Sequence, residues 1–474
     1  MHPQRNNWRV CAWLGLVVVL PYLSALTCGF VADDFARIVH DERIRSLPDA
    51  LRFFDPVFWR AEAATSAVAY RPMRPFVSAI DHAVWGLDPS GFHLTNILLH
   101  VAAVALAFAL LRGLGMARGA ALVGAALFGL HAANVEAVAW VKNRTVLCAG
   151  AFLVLSMWLC CVRGRWGLGA VAFGIALLSH EQAAVGALWA VALMEFSGRQ
   201  ERAGRTWPLW GVLVLYFGVR ALATAEPMAV GSLGVGMGRA ALVARTVGTY
   251  GNVCALPVGL NLERALMAGG AAIAGWCVLA LLVAAARWRV RGPLGAGLCA
   301  GALLLLAPVS NLLVVNPAFG RLVAEQRLYL PLIPLCALAV AALDGPRRRA
   351  LLLVLLAVCA ARVTHRTFDW RSDLTIYSDA VRRSPSSFKA RYNFADALVR
   401  EGRDAAALGA YEKSLAMRPT HGGTRCRYAE ALRRVGRTRQ AIAELERVLG
   451  QQPPSHAEPL AKRLLGQMRG NMPE

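Results

Sequence analysis

Val31-Ala32-Asp33-Asp34-Phe35-Ala36-Arg37 follows directly on an apolar run, Val10 to Phe30, interrupted only by small polar residues. At about 1.5 Å of rise per residue that run is long enough to cross a bilayer core. Two adjacent carboxylates where a first span meets water are costly unless they act on something. The alternative is a solvated turn, where Asp is common. Ala25 and Thr27 are small enough for a signal-cleavage site, but the apolar run is longer than a signal core, so an uncleaved anchor is expected.

The remainder of the chain repeats this alternation. Of its 474 residues 57% are hydrophobic and 17% charged, with a mean hydropathy of +0.46; soluble domains carry about 25% charged residues. Apolar stretches separated by short Arg-bearing loops read as an all-α polytopic membrane protein. A net charge of +22 would suggest nucleic acid in a soluble protein. Here much of it lies in short loops, where it sets topology. From residue 364 onward there are 20 Lys/Arg against 12 Asp/Glu, without the arginine–aromatic interleaving of an RNA binder, and no nucleic-acid partner is expected. The 11 cysteines lie mostly in apolar runs and form no CxxC or His-Cys pattern, so they read as small core residues.

The basic segments Arg112–Arg118, Arg163–Arg165, Arg199–Arg205, Arg287–Arg291 and Arg347–Arg349 fix an orientation if all face the cytoplasm with Arg5 and Arg9. About eleven transmembrane helices satisfy this: 10–30, 92–111, 119–137, 145–162, 166–180, 182–197, 208–222, 266–286, 293–310, 328–343 and 350–363. The odd number puts the amino end inside and the carboxyl end outside. Asp33/Asp34, His131, Glu136, His180/Glu181 and Glu325/Arg327 then all fall at outer span ends or in outer loops. A membrane-embedded active site needs polar groups gathered on one face. The first outer loop, 31–91, is expected to hold interfacial helices with Trp59 and Trp85 at headgroup depth. A second outer segment, 223–264, carries a Gly-rich stretch, Gly231 to Gly238, that suits a lid, followed by a re-entrant or interfacial helix over Leu242 to Leu256.

After Thr364 the span-like runs stop and a 34-residue period begins. Pro385, Pro419 and Pro453 are in register, as are Gly402 with Gly436 and Ala407 with Ala441. Gly at an inter-helix turn, Ala at a close crossing and Pro ending the second helix make up the tetratricopeptide signature. Tyr411 is matched by Leu445, and Tyr377, Ala380 and Pro385 supply a preceding half repeat. Two and a half repeats are marginal alone, so docking on the membrane domain or a cap from Pro459 to Met468 is required. The expected domains are residues 1–363, membrane-embedded, and 364–474, helical repeats.

Six stretches in order carry a family resemblance. They are Asp33-Asp34-Phe35; Tyr70-Arg71-Pro72; Gly91-Phe92-His93-Leu94-Thr95-Asn96-Ile97-Leu98-Leu99-His100; His131-Ala132-Ala133-Asn134-Val135-Glu136-Ala137-Val138-Ala139-Trp140; Leu178-Ser179-His180-Glu181; and Glu325-Gln326-Arg327-Leu328-Tyr329-Leu330-Pro331. With these the chain resembles the type-C (GT-C) membrane glycosyltransferases, and among them the transmembrane, tetratricopeptide-repeat-containing O-mannosyltransferases and their bacterial relatives. The resemblance implies transfer of a sugar, in eukaryotes mannose, from a polyprenyl-phosphate carrier to a hydroxyl of a protein or glycan on the non-cytoplasmic face.

That chemistry suits the residues. A hydroxyl is a poor nucleophile, so a carboxylate must take its proton as the bond forms. Asp33 is the candidate base, with Asp34 orienting the acceptor or acting as a partner base. The leaving lipid phosphate needs fixed cations. Arg327 is the best placed, ahead of Arg74, Lys142, Arg144 and His180, while Arg71, His131, Glu136, Glu181 and Glu325 complete the candidate substrate site. Each has a structural alternative. His93 and His100, seven apart on one helical face, suit packing better than catalysis. His131 and Glu136 would close a span end, Arg327 with Glu325 would form an ion pair, and Arg71-Pro72 would shape a loop. Relatives commonly carry Lys in place of His180, and His-Pro where His131-Ala132 stands; His180 makes that charge pH-dependent. No cofactor or metal is expected beyond the lipid donor, because basic side chains serve the phosphate, although paired Asp with Glu also suits Mg²⁺ or Mn²⁺. The expectation is an inverting glycosyltransferase in a bacterial inner membrane with periplasmic repeats that position the acceptor or a protein partner. The competing reading is a catalytically silent scaffold whose repeats recruit partners. A transporter fares worse, for want of paired acids or lysines mid-span.

Overall fold

The computed structural model describes residues 7–63, 69–196, 204–224, 238–255, 257, 259–267, 269–289, 293–312, 322–343, 349–451 and 456–470. Nearly all of the expected lid, residues 231–237, lies outside them, as do Pro453 and the basic residues Arg5, Arg199, Arg202, Arg291, Arg347 and Arg348. The chain divides into two compact units, 1–260 with 265–371, and 261–264 with 372–474. The expected boundary at 363/364 falls inside a helix that runs on to Phe368, so the division comes eight residues later.

All regular secondary structure among the first unit's described residues is helical. It comprises α1 (Asn7–Tyr22), α2 (Leu47–Arg52), α3 (Pro56–Ala63), α4 (Met73–Trp85), α5 (Pro89–Gly113), α6 (Arg118–Leu130), α7 (Val135–Ala139) and α8 (Arg144–Met157). It continues with α9 (Trp166–Ser179), α10 (Gly186–Phe196), α11 (Trp207–Ala223), α12 (Arg239–Ala255), α13 (Gly269–Arg289), α14 (Pro293–Leu306), α15 (Tyr329–Leu343) and α16 (Arg349–Phe368). Among the described residues six stretches are long and apolar enough to cross a bilayer: Arg9–Thr27, Pro89–Gly113, Val141–Val162, Gly204–Ala223, Glu325–Leu343 and Ala350–Phe368. A pair bent by 46°, Arg118–Leu130 with Ala132–Ala139, makes a seventh. The other four expected spans are occupied by α9, α10, α13 and α14, with shorter apolar stretches such as Trp166–Ser179, Gly269–Ala284 and Leu294–Val309. The chain is an integral membrane protein.

The bend in the seventh span has a local cause. His131 leaves helical geometry (φ −69°, ψ 120°), so the carbonyls of the preceding turn lose their helical donors. In an apolar setting each orphaned carbonyl needs a partner. The Asn134 amide donates to Phe128 O at 2.6 Å, and the His100 ring nitrogen and Tyr22 hydroxyl meet Gly129 O at 2.9 and 3.5 Å. His100 also bonds the Tyr329 hydroxyl at 2.8 Å, so it has the packing and hydrogen-bonding role its position suggested. Elsewhere, α12 and α13 cross with backbones in contact. A Cβ at Gly248 would lie 2.2 Å from Ala272 O, and one at Gly251 2.2 Å from Gly275 O.

The segment that follows the first span builds its own small core. Trp59, expected at headgroup depth, is 3% exposed and packs edge-on against Phe53 and Tyr70, with Phe58 joining through Phe53. Trp85 remains exposed. Asp81, on the apolar-faced helix α4, is buried where Arg144 and Thr95 reach it.

The second unit contains α17 (Asp373–Arg383), α18 (Phe388–Arg400), α19 (Asp404–Met417), α20 (Gly422–Arg434), α21 (Thr438–Leu449) and α22 (Glu458–Gly470). The period seen in the sequence recurs in its contacts. Gly402 and Gly436 adopt φ of +71° and +82°, a region that favours glycine. The following N–H groups, of Arg403 and Arg437, return to Leu398 O and Leu432 O. Arg391 donates to Pro385 O and Arg425 to Pro419 O, while Ser387 and His421 cap α18 and α20. Ala407 and Ala441 are fully buried at the helix crossings. Leu464, Leu465 and Met468 of α22 close the apolar end of the stack. Residues 261–264 belong here as well, with the Asn261 amide donating to Ser384 Oγ at 2.7 Å and Ser384 Oγ donating to Glu263 O at 3.0 Å.

Candidate active site

After the first span a short 3-10 turn, Leu23–Thr27, leads into an extended stretch and then a single wide helical turn, Phe35–Val39, closed by the His40 N–H on Phe35 O. Ala32 between them has φ +52°, a strained setting for a side chain with Cβ. The reversal turns the Asp34 carboxylate back onto the Val31 N–H at 3.1 Å, and its other oxygen accepts the Lys142 N–H at 2.8 Å. Asp34 is fully buried. Burial pushes it up to about 7, against the N–H bonds from Val31 and Lys142 and the charges of Lys142 and Arg144. Asp33 is the accessible member, 58% exposed, in an ion pair with the Lys142 ammonium. That ammonium lies 4.0 Å from the centre of the Trp140 ring, whose N–H donates to Val31 O at 3.2 Å. One aspartate therefore fixes the backbone of Lys142 and the other meets its side chain.

From Lys142 a line of contacts leads onward. The Asn143 amide donates to Glu136 O at 2.8 Å, and the buried Glu136 carboxylate accepts the Gln326 N–H at 3.2 Å. Arg327 follows, donating to Leu322 O at 3.2 Å and bonding the Tyr250 hydroxyl. The Gln182 amide donates to Arg327 O at 3.0 Å, joining it to His180-Glu181. Glu181 accepts two bonds from Arg71, at 2.6 and 2.8 Å. Burial acts to raise Glu181, but Arg71, then His180 and Arg220, hold it well below the usual carboxylate range. His180 is held down to about 3 by burial and by Arg71, with Arg327 and Arg220 adding to it, so it is a neutral ring near pH 7. Its Nδ1 accepts the Gln182 N–H at 3.2 Å.

Thus Asp33, Asp34, Lys142, Glu136, Arg327, His180, Glu181 and Arg71 are joined contact by contact, although 294 positions separate the first from the last in sequence. Arg74 lies close to Arg71, Arg37 and Arg43. Three candidates are placed elsewhere. Arg144 is 1% exposed and paired with buried Asp81, a position without access to a substrate phosphate. His131 accepts the Ala133 N–H on Nδ1 and donates from Nε2 to Cys254 O at 3.1 Å, serving the bend. Glu325 faces the buried Arg366 at 4.0 Å, so its guanidinium neighbour is not the adjacent Arg327 alone. Among the described residues no three His, Cys, Asp or Glu side chains gather in an arrangement that holds a metal ion.

Sequence reasoning passed over Gln182, Tyr250, Arg220 and Arg37. Arg220, a lone cation closing an apolar helix at its expected outer end, was the readable signal, since charge there runs against the loop bias that sets topology. Past Arg327, α15 lines an apolar cavity of about 210 Å³ with residues of α6, α12, α13 and α16. Its α15 residues extend from Leu332 to Leu343, about 16 Å along the helix. Besides the three thiols Cys254, Cys336 and Cys359, the polar side chain on its wall is His131.

No protein-family model matches the chain. It is similar to the protein O-mannosyl-transferase Tmtc1 of Drosophila melanogaster, 31% identical over 139 residues, which is 29% of this chain and 16% of that one. It is also similar to the protein O-mannosyl-transferases TMTC4 of Mus musculus and Homo sapiens, 24% and 25% identical, over 84% of this chain and 65% of theirs. The chain therefore spans less than two thirds of the length of these relatives. A solved structure, ArnT from Cupriavidus metallidurans bound to undecaprenyl phosphate, overlays 97% of this chain and 85% of its own at a TM-score of 0.41 and 17% identity. The resemblance carried by the six motifs thus extends to the protein O-mannosyl-transferases across most of the chain.

Proposed function

We propose that this chain is an inverting glycosyltransferase of the GT-C kind that moves a sugar, with mannose the first candidate, from a polyprenyl-phosphate carrier to an acceptor hydroxyl on the non-cytoplasmic face. The observation that carries the reading is the run of contacts that joins an accessible carboxylate, Asp33, to Arg327, which immediately precedes α15, the helix whose later residues line an apolar slot. A lipid phosphate has one anionic end and a long apolar end. Arg327 suits the first, and the slot beginning at Leu332 suits part of the second.

In this reading the acceptor oxygen attacks the anomeric carbon as its proton passes to Asp33. The bond from that carbon to the phosphate oxygen breaks, and the released charge is met by Arg327 with Arg71 and Arg220 nearby. One displacement inverts the anomeric centre. Asp34, fully buried, positions Lys142 and through it Asp33. Eleven membrane crossings, a tetratricopeptide identity for 372–470 and a periplasmic or luminal setting belong to the same proposal. So does a role for the repeats in presenting a protein acceptor. The scaffold reading draws on one observation: both carboxylates are engaged by Lys142, as a purely structural pair would be.

Sugar release from radiolabelled polyprenyl-phosphate mannose by the purified protein tests the proposal. Turnover that Asp33→Asn abolishes, and that persists in the presence of a chelator, supports a base at Asp33 acting without metal. A folded protein with no turnover on any polyprenyl-phosphate sugar overturns the enzyme reading in favour of the scaffold.

A further inference from the structure

Four arginines of the first outer loop crowd together, and the acids there neutralise two of them. Arg43 is held by Asp41 at 2.7 and 2.9 Å, and Arg71 by Glu181. Arg37 and Arg74 make no side-chain hydrogen bond or ion pair among the described residues, though both are half-buried. Arg37 lies on the turn that directly follows Asp33-Asp34. Arg74 lies in the first turn of α4, where there is no acid. Half-buried like charges side by side are unfavourable without a counter-ion. In keeping with this, burial, then Arg37 and Arg71, hold the Arg74 guanidinium down to about 9, against the opposing pull of Asp41, whose carboxylate is already bonded to Arg43.

We propose that Arg37 and Arg74 form a subsite for a carboxylate on the acceptor, so that the favoured acceptor is a peptide whose hydroxyl residue is flanked by acidic residues. The proposal rests on the glycosyl-transfer reading above. A lipid phosphate is fixed by its own chain at the head of the slot on α15. The unneutralised charge beside the two aspartates calls for a second anion, and the second substrate is the acceptor. Guanidinium groups meet carboxylates through paired, charge-assisted bonds, which fixes register as well as affinity.

The test uses the full-length protein in detergent with two fluorescein-labelled peptides, one carrying Ser flanked by Glu and the other its Gln counterpart. Fluorescence anisotropy is expected to show the Glu peptide bound about tenfold tighter, the ratio set by one charge-assisted pair, with the preference falling at high salt. Arg37→Gln with Arg74→Gln should reduce that ratio below threefold, while Arg37→Lys with Arg74→Lys keeps most of it. Arg403→Gln with Arg437→Gln, which removes equal charge from exposed repeat positions, should leave it intact. A wild-type protein without preference overturns the proposal, as does a preference that survives the Gln pair or falls equally in the repeat control. Undecaprenyl phosphate binding is measured in parallel; its loss in the Gln pair would make the cluster a lipid-phosphate site and also overturn it. If the peptide preference behaves as expected but no sugar is transferred, the subsite stands and the transfer reading fails.

Discussion

The buried pair of Arg144 with Asp81 offers the sharpest quantitative test of the architecture around the site. The two side chains are 1% and 4% exposed, and the pair joins α8 to α4. Asp81→Asn would leave a guanidinium in an apolar setting with the Val141 carbonyl at 3.3 Å, the Phe92 carbonyl at 3.5 Å and the Phe92 ring at 5.1 Å. Breaking such a pair costs about 3–5 kcal/mol. The remaining contacts put this case near the lower end, about 3 kcal/mol, or about 6 °C at roughly 2 °C per kcal/mol for a chain of this size. Replacing both residues, Asp81→Leu with Arg144→Met, removes the orphaned charge and should return to within about 1 kcal/mol of the parent. Thermal unfolding followed by fluorescence size exclusion, on both single variants and the double, gives the coupling directly. Single variants that each shift the midpoint by less than about 2 °C, or a double variant equal to their sum, would refute the reasoning.

Three further outcomes are expected. Asp34 has a folded value of about 7 against an ordinary 3.8, so between those values the folded state holds a proton that the unfolded state does not. Stability should fall as pH rises from about 4 to 7, by on the order of 4 kcal/mol, and level off above; Asp34→Asn should flatten the slope of melting midpoint against pH, and an unchanged slope would assign it to other groups. Gly251→Val would drive a side chain into Gly275 O and should cost about 1–3 kcal/mol, read as a lower midpoint in the same thermal assay. Arg425→Ala should open the repeats to limited proteolysis of the full chain more than Arg391→Ala, because Arg425 also pairs with Glu444 while Arg391 has its Pro385 carbonyl.

The repeats were the most legible part of the chain, because each is a local unit whose turn, crossing and cap recur every 34 residues. The positions marked by Gly, Ala and Pro are the ones that carry the repeated hydrogen bonds and buried crossings. The site was legible as a set of residues and not as a set of pairs. Arg71 and Glu181 were both singled out, yet no periodicity links positions 110 apart, and their two-bond contact is a product of helix packing. Arg144 read as a phosphate ligand because its counter-ion, 63 positions away on a helix taken for interfacial, gave no sign of facing it. Trp59 read as a headgroup anchor for a similar reason: the loop's aromatic residues satisfy one another. Where spans are short, hydropathy marks the apolar stretch but not how long the apolar helix is, which is why, among the described residues, only six or seven of the eleven stretches are long enough to cross a bilayer.

The break at His131 has a consequence for how this chain can vary. The two freed carbonyls are answered by side chains from three separate segments, Tyr22, His100 and Asn134, and none of the three has that task if the helix is straight. Loss of Asn134 leaves Phe128 O with the long His131 N–H bond at 3.4 Å, and loss of His100 leaves Gly129 O with the long Tyr22 bond at 3.5 Å; together with a residue that restores helix at 131, such replacements become tolerable. Positions 22, 100, 131 and 134 should therefore behave as one inherited character, present as a set in chains with the bend and lost as a set in chains without it.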